Sequence, residues 1–204
     1  MIHPKYININ RILGAMTFLI SFIVYFDTMA PSVSYWDCGE FIAVSYTLGV
    51  PHPPGSPLFL LLGRIASMLP ISEDIAFRVN LLSPLASAFS VLFLYFIIVQ
   101  LINHWRGKIE TNTDALIAFG AGIVGSLTFA FTDSHWFNAV EAEVYAFSTF
   151  FTAIVVWLAL LWSEKADEKG NERYILIIAY MIGLATGLHL LNLLTIPFVA
   201  LLIY

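Results

Sequence analysis

Long apolar runs separated by short polar islands make up most of the chain, and their lengths predict its elements. An α-helix needs about 20 apolar residues to cross the hydrocarbon core of a bilayer. The runs at 11–29, 77–102, 114–132, 144–162 and 174–189 are predicted as spans, and an incomplete sixth starts at 191. Pro57 to Leu69 is also apolar, but it is too short to cross and carries Arg64. It is predicted as a re-entrant or interfacial helix, with Ser56 as N-cap and Pro57 at the first helical position, where a missing N–H costs nothing. Residues 37–48 are predicted as a short amphipathic helix, followed by a stiff corner with four prolines between 51 and 57. The fold class is therefore all-α: a polytopic helical membrane protein with a re-entrant or interfacial helix in its first extracytoplasmic loop.

Composition supports this reading. The chain is 59% hydrophobic and 11% charged, with a mean hydropathy of +0.84. The alternating strands of a transmembrane barrel are missing. A net charge of −5 argues against nucleic acid as a partner. The single cysteine, Cys38, excludes an internal disulfide and a cysteine-based metal site. The first run lacks a small-residue cleavage site and reads as a retained span. The chain stops inside its last apolar run, as expected if residues 1–204 are the N-terminal transmembrane part of a longer catalytic module.

Charge sets the expected orientation. With the 57–69 segment lying on the surface, Lys5, Arg11, Arg106, Lys108, Lys165, Lys169 and Arg173 fall on one side, and only Arg64 and Arg78 on the other. The positive-inside bias then puts the N-terminus in the cytoplasm. Asp37, Glu40, Glu73, Asp74, Asp133, Glu141 and Glu143 gather on the extracytoplasmic face. Ionisable residues are expensive to hold at a membrane, so such a gathering suggests chemistry there.

The candidates lie in two outer loops and at the ends of the spans beside them. Asp37 and Glu40, three apart, share a helical face and could act as a general base beside a stabilising carboxylate or metal ligand. The plainer account is a capping box, Asp37 capping and Glu40 reaching back. His52 stands before Pro53-Pro54-Gly55, which holds it extended, either facing Asp37 or facing water. Arg64 and Arg78 could neutralise a phosphate. Arg64 could instead snorkel to headgroups, and Arg78, next to Asn80, could pair with Glu73 or Asp74. In the second loop, Glu141 and Glu143 would diverge on a regular helix, one facing the cleft and the other capping the fourth span. With His135 they could bind a divalent cation, although their spacing is no specific metal signature. His189 and Asn192 end the fifth span, after Gly183 and Gly187, whose small-xxx-small spacing suits close helix packing.

Trp36-Asp37-Cys38-Gly39-Glu40-Phe41, His52-Pro53-Pro54-Gly55, Glu141-Ala142-Glu143-Val144-Tyr145 and Gly187-Leu188-His189-Leu190-Leu191-Asn192 together resemble the GT-C membrane glycosyltransferases. Among these they are most similar to the protein O-mannosyltransferase-like families. The resemblance implies transfer of a sugar, with mannose as the family-level expectation, from a polyprenyl-phosphate donor to a Ser/Thr hydroxyl of an acceptor protein, with inversion. Asp37 would be the base, Arg78 and Arg64 would hold the donor phosphate, and Glu40, His52, Asn80, His135, Glu141, Glu143, His189 and Asn192 would line the cleft. The lipid-linked donor is then a co-substrate, and a divalent cation stays open. Two other readings compete with this one: a proton-coupled transporter or lipid-handling protein, and a non-catalytic subunit of a membrane complex. Polar residues collected at one surface, with no internal repeat, favour an interfacial enzyme over transport.

Overall fold

The computed structural model describes residues 2–203. It contains ten α-helices: α1 Pro4–Thr28, α2 Cys38–Thr47, α3 Pro57–Met68, α4 Ile75–Asn80, α5 Leu82–Arg106, α6 Asn112–Ala130, α7 Asp133–Ala139, α8 Val144–Ser163, α9 Glu172–Thr186 and α10 Thr195–Ile203. A 3-10 turn, Leu190–Leu194, joins the last two. Among the described residues the only β pairing is an isolated bridge between Ile2 and Ile109.

Among the described residues, four helical stretches are long and apolar enough to span a bilayer: Pro4–Thr28, Ile75–Arg106, Asn112–Ala130 and Val144–Ser163. They correspond to the first four predicted spans. The predicted fifth is shorter than the rest, at 15 residues from Glu172 to Thr186. At 1.5 Å per residue it covers about 22 Å, less than the roughly 30 Å hydrocarbon core. The sixth predicted run divides into the 3-10 turn and α10, and its last residue, Tyr204, lies outside the described residues.

α5 is the axis of the bundle, packed against α1, α6 and α8. Small residues let it come close to its neighbours. A Cβ on Gly122 of α6 would sit 2.8 Å from the Tyr95 ring and 2.9 Å from Val99. The outward face of α1, including Ile12, Met16, Leu19 and Ile23, stays exposed and apolar, as a lipid-facing surface requires.

The predicted second span begins earlier than expected and is interrupted at Leu81. Pro84 accounts for the interruption. It has no N–H to offer the carbonyl four residues back, which belongs to Asn80, and its ring crowds that carbonyl. At α4, Asp74 caps the helix by accepting from the Ala76 N–H at 2.7 Å. α6 begins with a capping box between Thr111 and Asp114.

α2 and α3 pack on each other and close one end of the bundle. The buried positions of α2, Cys38, Phe41, Ile42 and Ser45, follow the i, i+3, i+4, i+7 stripe of an amphipathic helix. α3, of 12 residues, is too short to cross, as predicted. Ser56 stands at its N-cap as predicted, its carbonyl accepting from the Leu60 N–H at 3.1 Å, but its side chain makes no cap bond. Its backbone is left-handed at φ 88°, and its hydroxyl donates instead to the Leu188 carbonyl at 2.8 Å. With the Leu58 N–H donating to the Gly187 carbonyl at 2.9 Å, this ties α3 to the end of α9. Gly187 accordingly packs against Leu58, whereas a Cβ at Gly183 would meet nothing within 4 Å. Only the second glycine of the predicted pair serves a close approach.

Candidate active site

One end of the bundle carries both acid-bearing loops, and Asn80 staples them together. Its side-chain N–H groups donate to the carbonyls of Ala30 and Ser32, both at 2.9 Å. Its side-chain oxygen accepts from the Ala142 N–H at 3.1 Å. The Ala30 N–H adds a direct bond to the Val140 carbonyl at 2.8 Å. Asn80 is fully buried, and these three bonds occupy its amide. It therefore holds the loops that form the site and does not line a cleft.

The N-terminus of α2 then presents acids in two directions. Asp37 and Glu40 face outward, towards His52. Glu40 accepts from the His52 backbone N–H at 2.8 Å and meets its ring Nδ1 at 2.7 Å. The His52 Nε2 lies 3.9 Å from Asp37. The capping box does not form. Asp37 makes no side-chain cap bond, and Glu40 reaches forward to His52 instead of back to the helix. Asp37 is consequently more than half exposed and free of the α2 backbone. Tyr35 and Trp36, both strongly exposed, stand beside it.

Cys38 turns the other way, into the protein, and there it meets Glu141 and Glu143. Its thiol lies 3.7 Å from Glu143 Oε1, and ligand-capable atoms of all three residues fall within 4.8 Å of one another. The two glutamates converge because the segment between α7 and α8 is not helical: Glu141 and Ala142 lie in a bend and Glu143 is extended (φ −129°, ψ 146°). The divergence does not occur, and Glu143 stands at the N-cap of α8 as predicted but without a side-chain cap bond. Ser34 donates to Glu141 Oε2 at 2.7 Å. Burial, then the nearby charges of Asp37 and Glu141, push the Glu143 carboxyl up to about 6. Burial raises the Cys38 thiol to about 12, and the glutamates add to the shift.

The Glu40–His52 pair shifts both partners. The hydrogen bonds from His52 lower Glu40 below its ordinary 4.5. The bond to Glu40 raises His52 above 6.5, with the charges of Glu40, Asp37 and Glu143 adding to it. A raised histidine stabilises the fold fully below its unfolded value, and that contribution fades as pH rises through the folded value. A lowered carboxylate contributes above its unfolded value and loses that contribution as pH falls through the folded one. The 48–56 corner is therefore held best between about pH 4.5 and 6.5. In an NMR titration the His52 ring is expected to titrate above 6.5, and Glu40→Gln to bring it back towards that value. A wild-type midpoint at or below 6.5 would contradict the pairing.

The remaining candidates make their contacts with partners outside these two clusters. Arg78 pairs with neither Glu73 nor Asp74. Its Nε donates to the Ser72 carbonyl at 2.6 Å and its Nη1 to the Ser67 carbonyl at 2.8 Å, bracing the end of α3. Arg64 donates to the Tyr46 carbonyl at 2.6 Å and lies over the Tyr46 ring. His135 is buried against Phe129 and Tyr25, which lowers it to about 4, so it does not join the glutamates. The His189 ring lies 5.3 Å from that of Tyr145, and its Nδ1 accepts from the Leu191 N–H. Asn192 is buried, accepting from Ser148 and Thr152 and donating to the carbonyls of Ala185 and His189. A cavity of about 360 Å³ lies at the opposite end of α1 and α5, lined by Asn10, Arg11, Phe96, Gln100 and Trp157, and no site candidate borders it.

Ser34 and Cys38 are the functional-site neighbours that sequence reasoning missed. Their glutamate partners are more than 100 residues away. The one readable signal was the place of Cys38 at the head of the buried stripe of α2.

Residues 37–204 match the family described as Protein O-mannosyl-transferase TMEM260 N-terminal domain. The chain is 31% identical over 198 residues to a Dictyostelium discoideum protein named Protein O-mannosyl-transferase tmem260, covering 90% of this chain and 22% of that one. It is 29% identical over 162 residues to a Mus musculus protein of the same name, covering 79% of this chain and 21% of that one. The chain thus spans about a fifth of the length of these curated relatives. No solved structure matches it significantly.

Proposed function

Because this chain belongs to the Protein O-mannosyl-transferase TMEM260 N-terminal domain family, we propose that it supplies the base-bearing membrane part of an enzyme that transfers mannose to Ser/Thr hydroxyls of proteins. The observation that carries this reading is the freedom of Asp37. Its neighbour Glu40 is locked to His52, while Asp37 stays exposed, uncapped and beside an imidazole.

The reaction we infer takes its donor and its inversion from the family resemblance and its base from that geometry. The donor is a polyprenyl-phosphate mannose, whose lipid tail is dissolved in the bilayer that the helices span. Asp37 accepts the proton of the acceptor hydroxyl as its oxygen attacks the anomeric carbon. The bond from that carbon to the phosphate oxygen breaks, its electron pair leaves with the lipid phosphate, and the configuration inverts. Positive charge develops on the sugar in the transition state, and the carboxylates around α2 favour it. The Glu40–His52 contact fixes the 48–56 corner and sets an imidazole beside Asp37, so that the base is held in place. Arg78 and Arg64 meet the donor phosphate with the N–H groups not committed to carbonyls. The site faces the extracytoplasmic side and the N-terminus faces the cytoplasm. The concentration of Lys and Arg at the opposite end of the bundle supports this orientation.

The test uses the full-length gene product in nanodiscs, with a Ser/Thr-containing protein acceptor and radiolabelled mannose. The sugar is supplied either on polyprenyl phosphate or on a nucleoside diphosphate. Label is expected in the acceptor from the lipid donor alone, with the opposite anomeric configuration in the product. Transfer only from the nucleotide sugar would remove the lipid donor from the proposal. Transfer from neither would remove the enzymatic reading.

A further inference from the structure

We propose that Cys38, Glu141 and Glu143 form a binding site for one divalent metal ion of zinc-like, borderline character. The inference rests on the geometry of the inner cluster and is independent of the transfer reaction.

The ligand set is mixed, two carboxylates and the Cys38 sulfur, whose proton is released to solvent as the ion binds, a combination of donors that zinc accepts. Spacing agrees with tetrahedral coordination. With Zn–S near 2.3 Å and Zn–O near 2.1 Å, the sulfur–oxygen edge of a tetrahedron is about 3.6 Å. The Cys38 Sγ to Glu143 Oε1 distance is 3.7 Å, and the complete set lies within 4.8 Å. Ligand atoms so placed need to move by only about an ångström or less to share one ion.

Burial and bonding supply the second argument. All three residues are buried, with Glu141 at 6% and Glu143 at 7% exposure. Glu141 Oε1 is buried and has no hydrogen-bond partner, while Oε2 accepts from Ser34. An orphaned carboxylate oxygen in such a place is costly unless something occupies it. Among the described residues, no Lys, Arg or His lies within ion-pair distance of either glutamate, since the only such contacts join His52 to Asp37 and Glu40. Ser34 acts as an outer partner that orients a ligating carboxylate.

The outer triad of Asp37, Glu40 and His52 has a comparable span, but it is the weaker candidate. Its glutamate and histidine already satisfy each other at 2.7 Å, and it is open to water. The cation set suggested by the sequence, Glu141 and Glu143 with His135, also gives way, because His135 points into an aromatic pocket. The single thiol, which the sequence took out of metal chemistry, takes its place.

The experiment uses the full-length gene product in nanodiscs, stripped with chelator and dialysed. Zinc is then added and counted by mass spectrometry, and cobalt is added as a spectroscopic probe. One equivalent of tightly held metal is expected, with a thiolate-to-cobalt charge-transfer band. Cys38→Ser is expected to abolish the band and weaken zinc at least tenfold. Glu141→Gln and Glu143→Gln are each expected to weaken zinc by a similar factor. Asp37→Asn, outside the cluster, is expected to keep both stoichiometry and band, which separates this result from any loss of transfer. No zinc uptake by folded wild type, or a cobalt spectrum unchanged in Cys38→Ser, would overturn the site. Either result would leave the two glutamates as buried carboxyls held by Ser34 and Cys38.

Discussion

Asp37→Asn is expected to lower mannose transfer by about 10²- to 10⁴-fold, the usual contribution of a positioned general base. The substitution keeps size and shape and removes only the ability to take a proton. It is structurally mild here, because Asp37 makes no cap bond to α2 and is more than half exposed. Donor binding is therefore expected to stay within about threefold, since the loss lies in the transition state and not in the ground state. A turnover assay at saturating donor, paired with a donor-binding measurement, separates the two. Activity within about threefold of wild type would remove Asp37 from the base role. Glu40 is the less suitable base because it already accepts from the backbone and ring of His52. A fall in turnover with unchanged binding would also set aside the non-catalytic-subunit reading, in which these acids serve only to cap helices.

The bundle was legible because lipid permits few solutions. Every backbone polar group in hydrocarbon must be satisfied internally, so long apolar runs become helices. The four long spans, the short α3 and the α2 stripe followed from that constraint alone. The break at Leu81 was readable in principle from Pro84, but apolar content masked it. The candidate site was legible only in part. Asp37, Glu40 and His52 come together because twelve residues and a proline corner are enough to bring Glu40 to His52. Cys38 and the two glutamates come together across more than 100 residues, a pairing that no local spacing encodes. The direction of Glu141 and Glu143 depended on the backbone there, which bends between α7 and α8 where a regular helix would have turned the two side chains apart. Arg78 and Asn80 show a different limit. A polar residue at the start of a span can face a ligand or tie backbone together, and composition does not distinguish the two.

That ambiguity makes Asn80 the most informative position for stability. Asn80→Ala is expected to destabilise the folded protein by about 2–4 kcal/mol, at the upper end of what single substitutions do. Three backbone groups, the partly buried carbonyls of Ala30 and Ser32 and the buried N–H of Ala142, would lose their partner at once. The unpaired buried N–H costs about 1–3 kcal/mol, and the two carbonyls cost less because water reaches them in part. Asn80→Asp sharpens the test. It preserves volume and the acceptor for Ala142, yet sets a carboxylate against two carbonyl oxygens, so it is expected to be at least as damaging as alanine. Denaturation in mixed micelles, followed by tryptophan fluorescence, measures both variants against wild type. A loss below about 1 kcal/mol for Asn80→Ala would mean that the loops are held by other contacts, such as the Ala30 to Val140 bond. If the staple is as important as its geometry indicates, its loss also separates Ser34 and Cys38 from Glu141 and Glu143. The damage would then extend beyond stability to the inner cluster.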